Sequence, residues 1–242
     1  MKTVAIIQAR MGSTRLPGKA LVDLANEPML ARVVHRVQRA GSLHEVIVAT
    51  TVQPADDAIA QFCAMRGWPC ARGSQDDVLS RYYQAALASH ADVVVRITSD
   101  CPLIDPEVID QVVGALLAGR PDVDYVSNVQ PPRTFPRGLD TEVMRFDALE
   151  RAWREDADPA WREHVTPYLY RHPERFRIQG IFNAVDLSHL RWTVDTPEDL
   201  EFVRRIYGHF DGDTFSWHDV LALLEQHPGW LEINRTVEQK AV

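Results

Sequence analysis

Short apolar runs of strand length alternate along this chain with segments of helical periodicity, and this alternation restricts the fold more than any other feature. The strand candidates are residues 3–9, 45–51, 92–98, 124–128, 176–182 and 190–194, and the helix candidates are residues 29–39, 55–66, 78–89, 107–117, 198–207 and 217–226. Nearly continuous Val and Ile strands joined by crossover helices are typical of a parallel sheet covered on both faces. The sequence therefore predicts an α/β fold with a mostly parallel central sheet sandwiched by helices. In such sheets, ligands bind beyond the carboxyl ends of the strands.

The region between residues 130 and 173 interrupts this alternation. It opens with the proline-rich turn QPPRTFPRG, continues into GLDTEVMRF, which is typical of a short strand, and ends in helical stretches at residues 147–154 and 161–171. The sequence contains no internal repeat or low-complexity tract. We interpret the region as an inserted hairpin-and-helix unit for acceptor binding or dimerisation, within a single domain that spans residues 1–242.

The composition is that of an ordinary globular protein and argues against several classes of partner. With 26 Lys and Arg against 34 Asp and Glu, the formal net charge is −8, which disfavours a nucleic-acid or anionic-membrane binder. No apolar run approaches the ~20 residues of a membrane span, and the first one is too short for a signal peptide. The cysteines Cys63, Cys70 and Cys101 lack metal-type spacing and are odd in number, which favours a reduced protein. We therefore expect a cytoplasmic location.

A basic loop follows the first predicted strand. Arg10, Arg15 and Lys19 lie within it, and Gly12 and Gly18 separate them. Glycines allow backbone N–H groups to approach a ligand, and clustered cations suit a polyanion such as a triphosphate. In an acidic protein, a basic cluster at the end of a buried strand indicates a binding site, although a solvated basic turn would have the same composition.

The loop does not match the P-loop pattern GxxxxGK[ST]. Five residues separate Gly12 from Gly18, Lys19 precedes Ala20 instead of Ser or Thr, and no helical pattern begins directly after the lysine. A P-loop needs the helix N-terminus to bind phosphate and the hydroxyl to bind magnesium. These differences argue against a P-loop hydrolase.

Two aspartates follow predicted strands without a role in helix capping. Asp100 lies just past the end of one predicted strand, but the next helix already has Asp105 as its N-cap. Asp195 follows another predicted strand, and there Thr196 and Asp199 form a capping-box pattern. Carboxylates close to a triphosphate are suitable ligands for Mg²⁺. The basic loop and the two spare aspartates therefore predict a magnesium–triphosphate site.

Five motifs follow one another along the chain: QARMGSTRLPGKAL, RITSDCPLIDP, GLDTEV, REHVTPYLY and TVDTPEDLE. Together they resemble the cytidylyltransferases of the spore-coat polysaccharide type, a group related to the CMP-Kdo and CMP-acylneuraminate synthetases. The resemblance covers nearly the whole chain, from about residue 5 to about residue 207. It implies a nucleotidyltransferase with a glycosyltransferase-A-like α/β fold that uses CTP and Mg²⁺ and forms a homodimer.

The resemblance assigns roles to residues of these motifs. The implied nucleotide ligands are Arg10, Gly12, Ser13, Arg15 and Lys19, and the implied metal ligands are Asp100 and Asp195. The segment ARGSQDDVLSRYYQA matches a family region near the nucleotide base, which implies contacts from Arg72 and Ser74. Four of these residues, Arg15, Lys19, Asp100 and Asp195, are expected to act in catalysis.

The motifs on the acceptor side of the site are less specific. GLDTEV matches the acceptor side of the family's site, which implies that Asp140 and Glu142 face the sugar, although a hairpin turn would explain them equally well. REHVTPYLY matches the family's dimerisation region. Glu163 and His164 are therefore expected to form subunit contacts or to reach the acceptor, with a solvated helix face as the alternative.

The sequence leaves the identity of the acceptor open. Close CMP-Kdo enzymes carry an acidic residue and proline after the middle aspartate, whereas this chain has Cys101 and Pro102. The carboxylate of a sugar acid would suit Arg133 or Arg137, unless these are solvated loop residues. We predict transfer of CMP from CTP to a sugar acid, with release of pyrophosphate, for surface polysaccharide or glycoconjugate synthesis. The alternatives are a nucleotidyltransferase that uses another nucleoside triphosphate on a sugar phosphate, and a non-catalytic nucleotide-binding homologue.

Overall fold

A central seven-stranded sheet organises residues 1–239, the part of the chain that the computed structural model describes. In chain order the strands are β1 (Thr3–Gln8), β2 (Glu45–Thr51), β3 (Cys70–Gly73), β4 (Val93–Thr98), β5 (Tyr125–Ser127), β6 (Glu142–Arg145) and β7 (Ile178–Gly180). Across the sheet their order is β3-β2-β1-β4-β6-β5-β7. Strand β6 is antiparallel to β4 and β5, and the other described pairs are parallel. The predicted α/β class with a mostly parallel sheet is confirmed.

Helices cover both faces of the sheet. They are α1 (Met29–Gln38), α2 (Asp57–Arg66), α3 (Val78–Ala88), α4 (Pro106–Ala118), α5 (Phe146–Glu155), α6 (Pro159–His164), α7 (Pro167–Arg171), α8 (Pro197–His209) and α9 (Trp217–Gln226). One apolar core joins a sheet face to α1, α2 and α4, and a second joins the other face to α3, α5 and α7. The neighbours Ile6 and Ile7 of β1 are both fully buried, one in each core. Alternating side chains of one strand thus enter opposite cores, as burial on both faces requires.

The prediction of a strand at residues 190–194 is wrong. This segment forms one isolated bridge, between Arg137 and Arg191. Its backbone bonds connect it to two loops, because Trp192 N donates to the Arg137 carbonyl at 2.7 Å and Val194 N to the Asp100 carbonyl at 2.8 Å. Its apolar side chains pack with α8 and α9 in a third core, so the apolar run reflects burial and not pairing within the sheet.

Two further elements differ from the prediction. Strand β3 is missing from the predicted elements because it is short, lies at the sheet edge and alternates between exposed and half-buried residues. The predicted helix at residues 161–171 is divided into α6 and α7 at Val165, whose φ is 73°, and the second helix begins at Pro167. A positive φ at a β-branched residue does not fit a continuous helix.

The region 130–173 is built into the central sheet. It contributes β6, which pairs with β4 and β5, and then α5, α6 and α7. That the whole chain forms one domain stays a prediction, and its last three residues, 240–242, lie outside the described part. Between residues 1 and 239, no helix combines the length and the apolar character needed to cross a bilayer.

Candidate active site

A cavity of about 320 Å³ opens beyond the carboxyl ends of β1 and β4, where the sequence predicts a ligand site. Its wall brings together the predicted loop residues and both spare aspartates, namely Arg10, Gly12, Ser13, Arg15, Lys19, Asp100 and Asp195. Glu163 and His164 also line it. Sequence reasoning missed Gln8 and Thr98, although both are the last residues of strands that point at the cavity.

The basic loop is closed by backbone contacts to Met11. The carbonyl of Met11 accepts from Ser13 N at 2.9 Å and from Gly18 N at 3.1 Å, and Met11 N donates to the buried Asp56 carboxylate at 2.7 Å. Gly18 has a φ of 72°, a conformation that glycine adopts without steric cost. A Cβ atom at Gly12 would meet nothing within 4 Å, so the space beside this glycine is open to a ligand.

Lys19 joins the two predicted metal ligands. Its ammonium donates to Asp100 Oδ2 at 2.9 Å, to Asp195 Oδ1 at 2.8 Å and to the Val194 carbonyl at 3.0 Å, which engages all three of its donors. Burial would lower the pKa of Lys19, but the two carboxylates outweigh it and raise the pKa. Burial would raise the pKa of Asp100, but the charge and hydrogen bonds around it lower the pKa. Lys19 and Asp100 are therefore ionised together at neutral pH.

Asp195 also accepts from two arginines. Arg15 Nη2 and Arg191 Nη2 each lie 2.9 Å from Asp195 Oδ2. Arg191 is fixed in turn by Asp199, a fully buried residue that accepts from Arg191 Nε at 2.8 Å and Nη2 at 2.9 Å. Sequence reasoning missed Arg191. The sequence feature that could have identified it is the presence of an arginine inside the apolar run that precedes Asp195.

The two spare aspartates have no capping role, as predicted. Asp105 caps α4 by accepting from Glu107 N, and Thr196 caps α8 in a capping box. Asp100 and Asp195 thus present two carboxylates to the Lys19 ammonium in the cavity. Mg²⁺ is commonly bound by one or two carboxylates together with substrate phosphates and water. The two residues fit such a metal, and within residues 1–239 no cluster of three or more His, Cys, Asp or Glu forms a closed protein site.

Helix α6 closes one side of the cavity with Glu163 and His164. Arg10 Nη2 lies 3.6 Å from Glu163 Oε1, and both side chains are about half exposed. Burial lowers the pKa of His164, with smaller contributions from charges that include Arg96 and Glu142. His164 is therefore neutral at neutral pH and offers one donor and one acceptor to a ligand.

Arg72 and Ser74 do not line the cavity. Arg72 is bound at the edge of the sheet, where Nε donates to the Thr51 carbonyl at 2.9 Å and Nη2 lies 2.6 Å from Asp57 Oδ1. The carbonyl of Ser74 accepts from Arg81 Nη1 at 2.6 Å. Arg81 itself lines the cavity, and its buried Nε has no hydrogen-bond partner within residues 1–239. It belongs to the same motif but was not among the predicted ligands.

Asp140 and Glu142 also lie outside the wall of this cavity. Asp140 accepts from both terminal nitrogens of Arg133, at 2.6 and 3.0 Å. Glu142 is buried, forms an ion pair with Arg96, and accepts from the hydroxyls of Tyr125 at 2.5 Å and Thr166 at 2.7 Å. Both carboxylates are therefore engaged by protein side chains.

Comparisons of sequence with known proteins show which family the chain resembles. Residues 4–227 match the family model described as "Cytidylyltransferase". The chain is 33% identical to the spore coat polysaccharide biosynthesis protein SpsF of Bacillus subtilis, with 92% of this chain and 94% of that protein aligned. It is 42% identical to the 3-deoxy-manno-octulosonate cytidylyltransferase of Geobacter sulfurreducens, with 84% of this chain and 98% of that protein aligned.

The fold has a similarly close counterpart among solved structures. A cytidylyltransferase from Leptospira borgpetersenii superposes with a TM-score of 0.92 at 33% sequence identity. The alignment covers 99% of this chain and all of that one. The sheet order and helices described above therefore recur in a protein of similar sequence.

Proposed function

The chain belongs to the cytidylyltransferase family and has its nucleotidyltransferase fold, and from this premise we propose that it transfers CMP from CTP to a sugar acid, releasing pyrophosphate. The resemblance carried by the five motifs is confirmed, and the chain is a nucleotidyltransferase. The names of SpsF and of the Geobacter enzyme support a sugar-acid acceptor and a product used in surface polysaccharide or glycoconjugate synthesis. The observation that carries the proposal is Lys19 between Asp100 and Asp195, beside the basic loop.

In this proposal the triphosphate lies on the basic loop. The contacting residues are Arg10, Gly12, Ser13, Arg15 and Lys19, which share one cavity. Arg72 and Ser74 act at the side of the nucleotide base, where Arg81 connects the Ser74 carbonyl to the cavity wall. The open space beside Gly12 lets backbone N–H groups approach phosphate oxygens.

Asp100 and Asp195 are the proposed ligands of Mg²⁺. When bound, such a metal neutralises phosphate charge and polarises the phosphoryl group. All three donors of Lys19 are engaged by protein oxygens, so contact between Lys19 and a phosphate requires Lys19 to release at least one of its partners. Arg15 keeps its position at Asp195 Oδ2 and adds a second cation on the same side.

The main contribution of the protein to this reaction is the alignment of the two substrates, and it forms no covalent bond to either. An acceptor oxygen attacks the α-phosphorus, and the bond between that phosphorus and the oxygen leading to the β-phosphate breaks. Arg15 and Lys19 stabilise the negative charge that grows on the departing pyrophosphate. Holding the two substrates in line turns a bimolecular step into an effectively intramolecular one.

We assign Asp140 and Glu142 to the acceptor side. The half-exposed Asp140 carboxylate is held by Arg133, and Glu142 acts through Arg96, which it fixes by an ion pair. His164 lines the cavity, and its pKa is lowered by burial and by Arg96 and raised by Glu163 and Glu142. We also propose that the protein works as a homodimer in the cytoplasm, with the α6–α7 region near the subunit contact.

Measurement of pyrophosphate release tests this function. The purified protein is assayed with each of the four nucleoside triphosphates and a panel of sugar acids and sugar phosphates, with Mg²⁺ present. We expect release with CTP and a sugar acid, and its loss in the matched variant Asp195→Asn. Faster release with UTP, GTP or ATP and a sugar phosphate would overturn the choice of substrates. Absence of release with every pair would favour a non-catalytic homologue.

A further inference from the structure

A second cavity of about 390 Å³ adjoins the first one. The two share the Arg191–Asp195 pair as a wall, because Arg191 lines the second cavity while Asp195 lines the first. Three arginines, Arg137, Arg191 and Arg235, line the second cavity, and Glu232 is the one carboxylate among its described lining residues. Arg191 is paired with Asp195 and Asp199, and Arg235 with Glu232, so the cation of interest in this cavity is Arg137.

The charge of Arg137 has no direct partner in the part of the chain that the structure describes. Its half-buried guanidinium has no hydrogen bond or ion pair with any residue between 1 and 239, although its backbone is fixed by bonds to Leu190 and Trp192. The neighbouring arginines are different. Arg133 is paired with Asp140, and Arg191 with Asp195 and Asp199.

The position of Arg137 makes this unmatched charge costly. Arg137 and Arg191 form an isolated bridge pair, which brings two arginines to adjacent backbone positions. Burial, and then the charges of Arg133 and Arg191, lower the pKa of Arg137, and the charge of Asp140 offsets only part of this. A bound anion would relieve both the burial cost and the repulsion.

We propose that the second cavity is a binding site for a small anion, which presents a carboxylate or phosphate group to Arg137. The planar guanidinium of arginine matches both groups with paired hydrogen bonds. Arg191 is held in place by Asp199 and by Gln239, whose Oε1 accepts from Arg191 Nη1 at 2.5 Å. It forms a fixed wall of the cavity, and its charge is already paired with Asp195 and Asp199. Because the same side chain binds Asp195, an anion in this site acts directly on the first cavity.

Arginine side-chain NMR tests the site without any turnover. Inorganic phosphate and gluconate are titrated separately into ¹⁵N-arginine-labelled protein, and the Nε–Hε signals of Arg137 and Arg191 are followed. We expect saturable shifts of both signals with at least one probe. Saturation by phosphate alone identifies a phosphate ligand, and saturation by gluconate alone identifies a carboxylate ligand.

Two variants make the test specific. Arg137→Ala should weaken binding, read from the Arg191 signal, by roughly tenfold or more, since hydrogen bonds to charged groups are among the stronger ones. Arg235→Ala removes the same charge from the same cavity, but its side chain is 72% exposed and already paired with Glu232. It should change binding by less than about threefold. Equal loss in both variants, or shifts that rise linearly without saturation, would overturn the proposal. The readout needs no CTP, so failure of the proposed enzymatic function would leave the result interpretable.

Discussion

Lys19 Nζ lies 2.8 Å from Asp195 Oδ1, and this contact joins residues separated by 176 positions in the sequence. It connects the basic loop after β1 with the segment that leads into α8. The phosphate-binding and metal-binding parts of the proposed site are therefore one charged unit. A change at either residue should alter the electrostatics of the other.

Removal of the Lys19 ammonium tests this unit. Lys19→Ala leaves Asp100 and Asp195 without their shared cation, and the leaving pyrophosphate without one of its partners. We expect turnover to fall by a factor of about 10²–10³, corresponding to about 3–4 kcal/mol for one lost transition-state donor. Pyrophosphate release with CTP and the acceptor measures the loss.

The matched control for this variant is Lys2→Ala, which removes a half-exposed lysine paired with Glu45. We expect near-normal turnover from it. A second readout is the melting temperature, which Mg²⁺ should raise more in Lys19→Ala than in the wild type, since the ammonium no longer neutralises the two carboxylates. Wild-type turnover by Lys19→Ala would contradict the assignment of Lys19 to catalysis.

Much of the fold was predictable because local sequence patterns encode it. The apolar runs of β1, β2 and β4 are nearly continuous because both faces of these strands are buried, and such runs are visible without any knowledge of pairing. Residues 190–194 have the same apolar character but pack against α8 and α9. An apolar run indicates that a segment is buried. Whether the segment joins a sheet depends on a partner strand elsewhere in the chain, which the run itself does not identify.

The site was predictable to the extent that its residues stand next to capping and strand-end signals. Asp100 and Asp195 could be singled out because other residues already cap the helices that follow. Arg191 and Arg81 could not be identified in this way. Arg191 is only four residues from Asp195 and Arg81 only seven from Ser74, but no capping or strand-end signal distinguishes these two arginines from solvated ones.

Asp105 should contribute far more to stability than an ordinary N-cap. It is fully buried and accepts from both Glu107 N and Trp217 N at 2.9 Å, which ties α4 to α9. Asp105→Ala leaves these two donors unpaired, together with Arg36, which lies 3.6 Å away. We expect the free energy of unfolding to fall by about 3 kcal/mol. Urea denaturation measures it, with the half-buried cap variant Ser216→Ala as a control that should lose about 1 kcal/mol.

His164 should make the protein sensitive to mild acid. Burial lowers the pKa of this histidine, so in the window below its ordinary value of 6.5 the unfolded state binds a proton that the folded state does not. Stability should therefore fall with decreasing pH until the folded-state pKa is passed. His164→Gln should flatten this dependence in urea denaturation between about pH 5 and 7. A His164 ring signal that titrates above 6.5 in NMR spectra would contradict the expectation.

Arg191 should act as a positioning residue for Asp195. It joins Asp195 to the buried Asp199, and partners that orient a metal ligand typically change activity by about 10–100-fold when replaced. Arg191→Lys retains the charge but cannot reproduce the bidentate contact with Asp199 while also reaching Asp195. We expect kcat/KM for CTP to fall by about 10–100-fold, with the KM for the acceptor unchanged. Steady-state kinetics with each substrate varied in turn measures this split.

Arg191→Met separates positioning from stability. It leaves Asp199 buried without its cation, so we expect the free energy of unfolding to fall by about 3 kcal/mol, whereas Arg191→Lys should stay folded and lose mainly activity. Arg205→Met is the matched control, since Arg205 forms an exposed ion pair with Glu201 on α8 and should lose less than about 1 kcal/mol. If Arg191→Lys folds normally and keeps the wild-type kcat/KM for CTP, Arg191 serves the fold alone. A fall in kcat/KM for CTP at unchanged acceptor KM is the outcome that the Arg191–Asp195 contact requires.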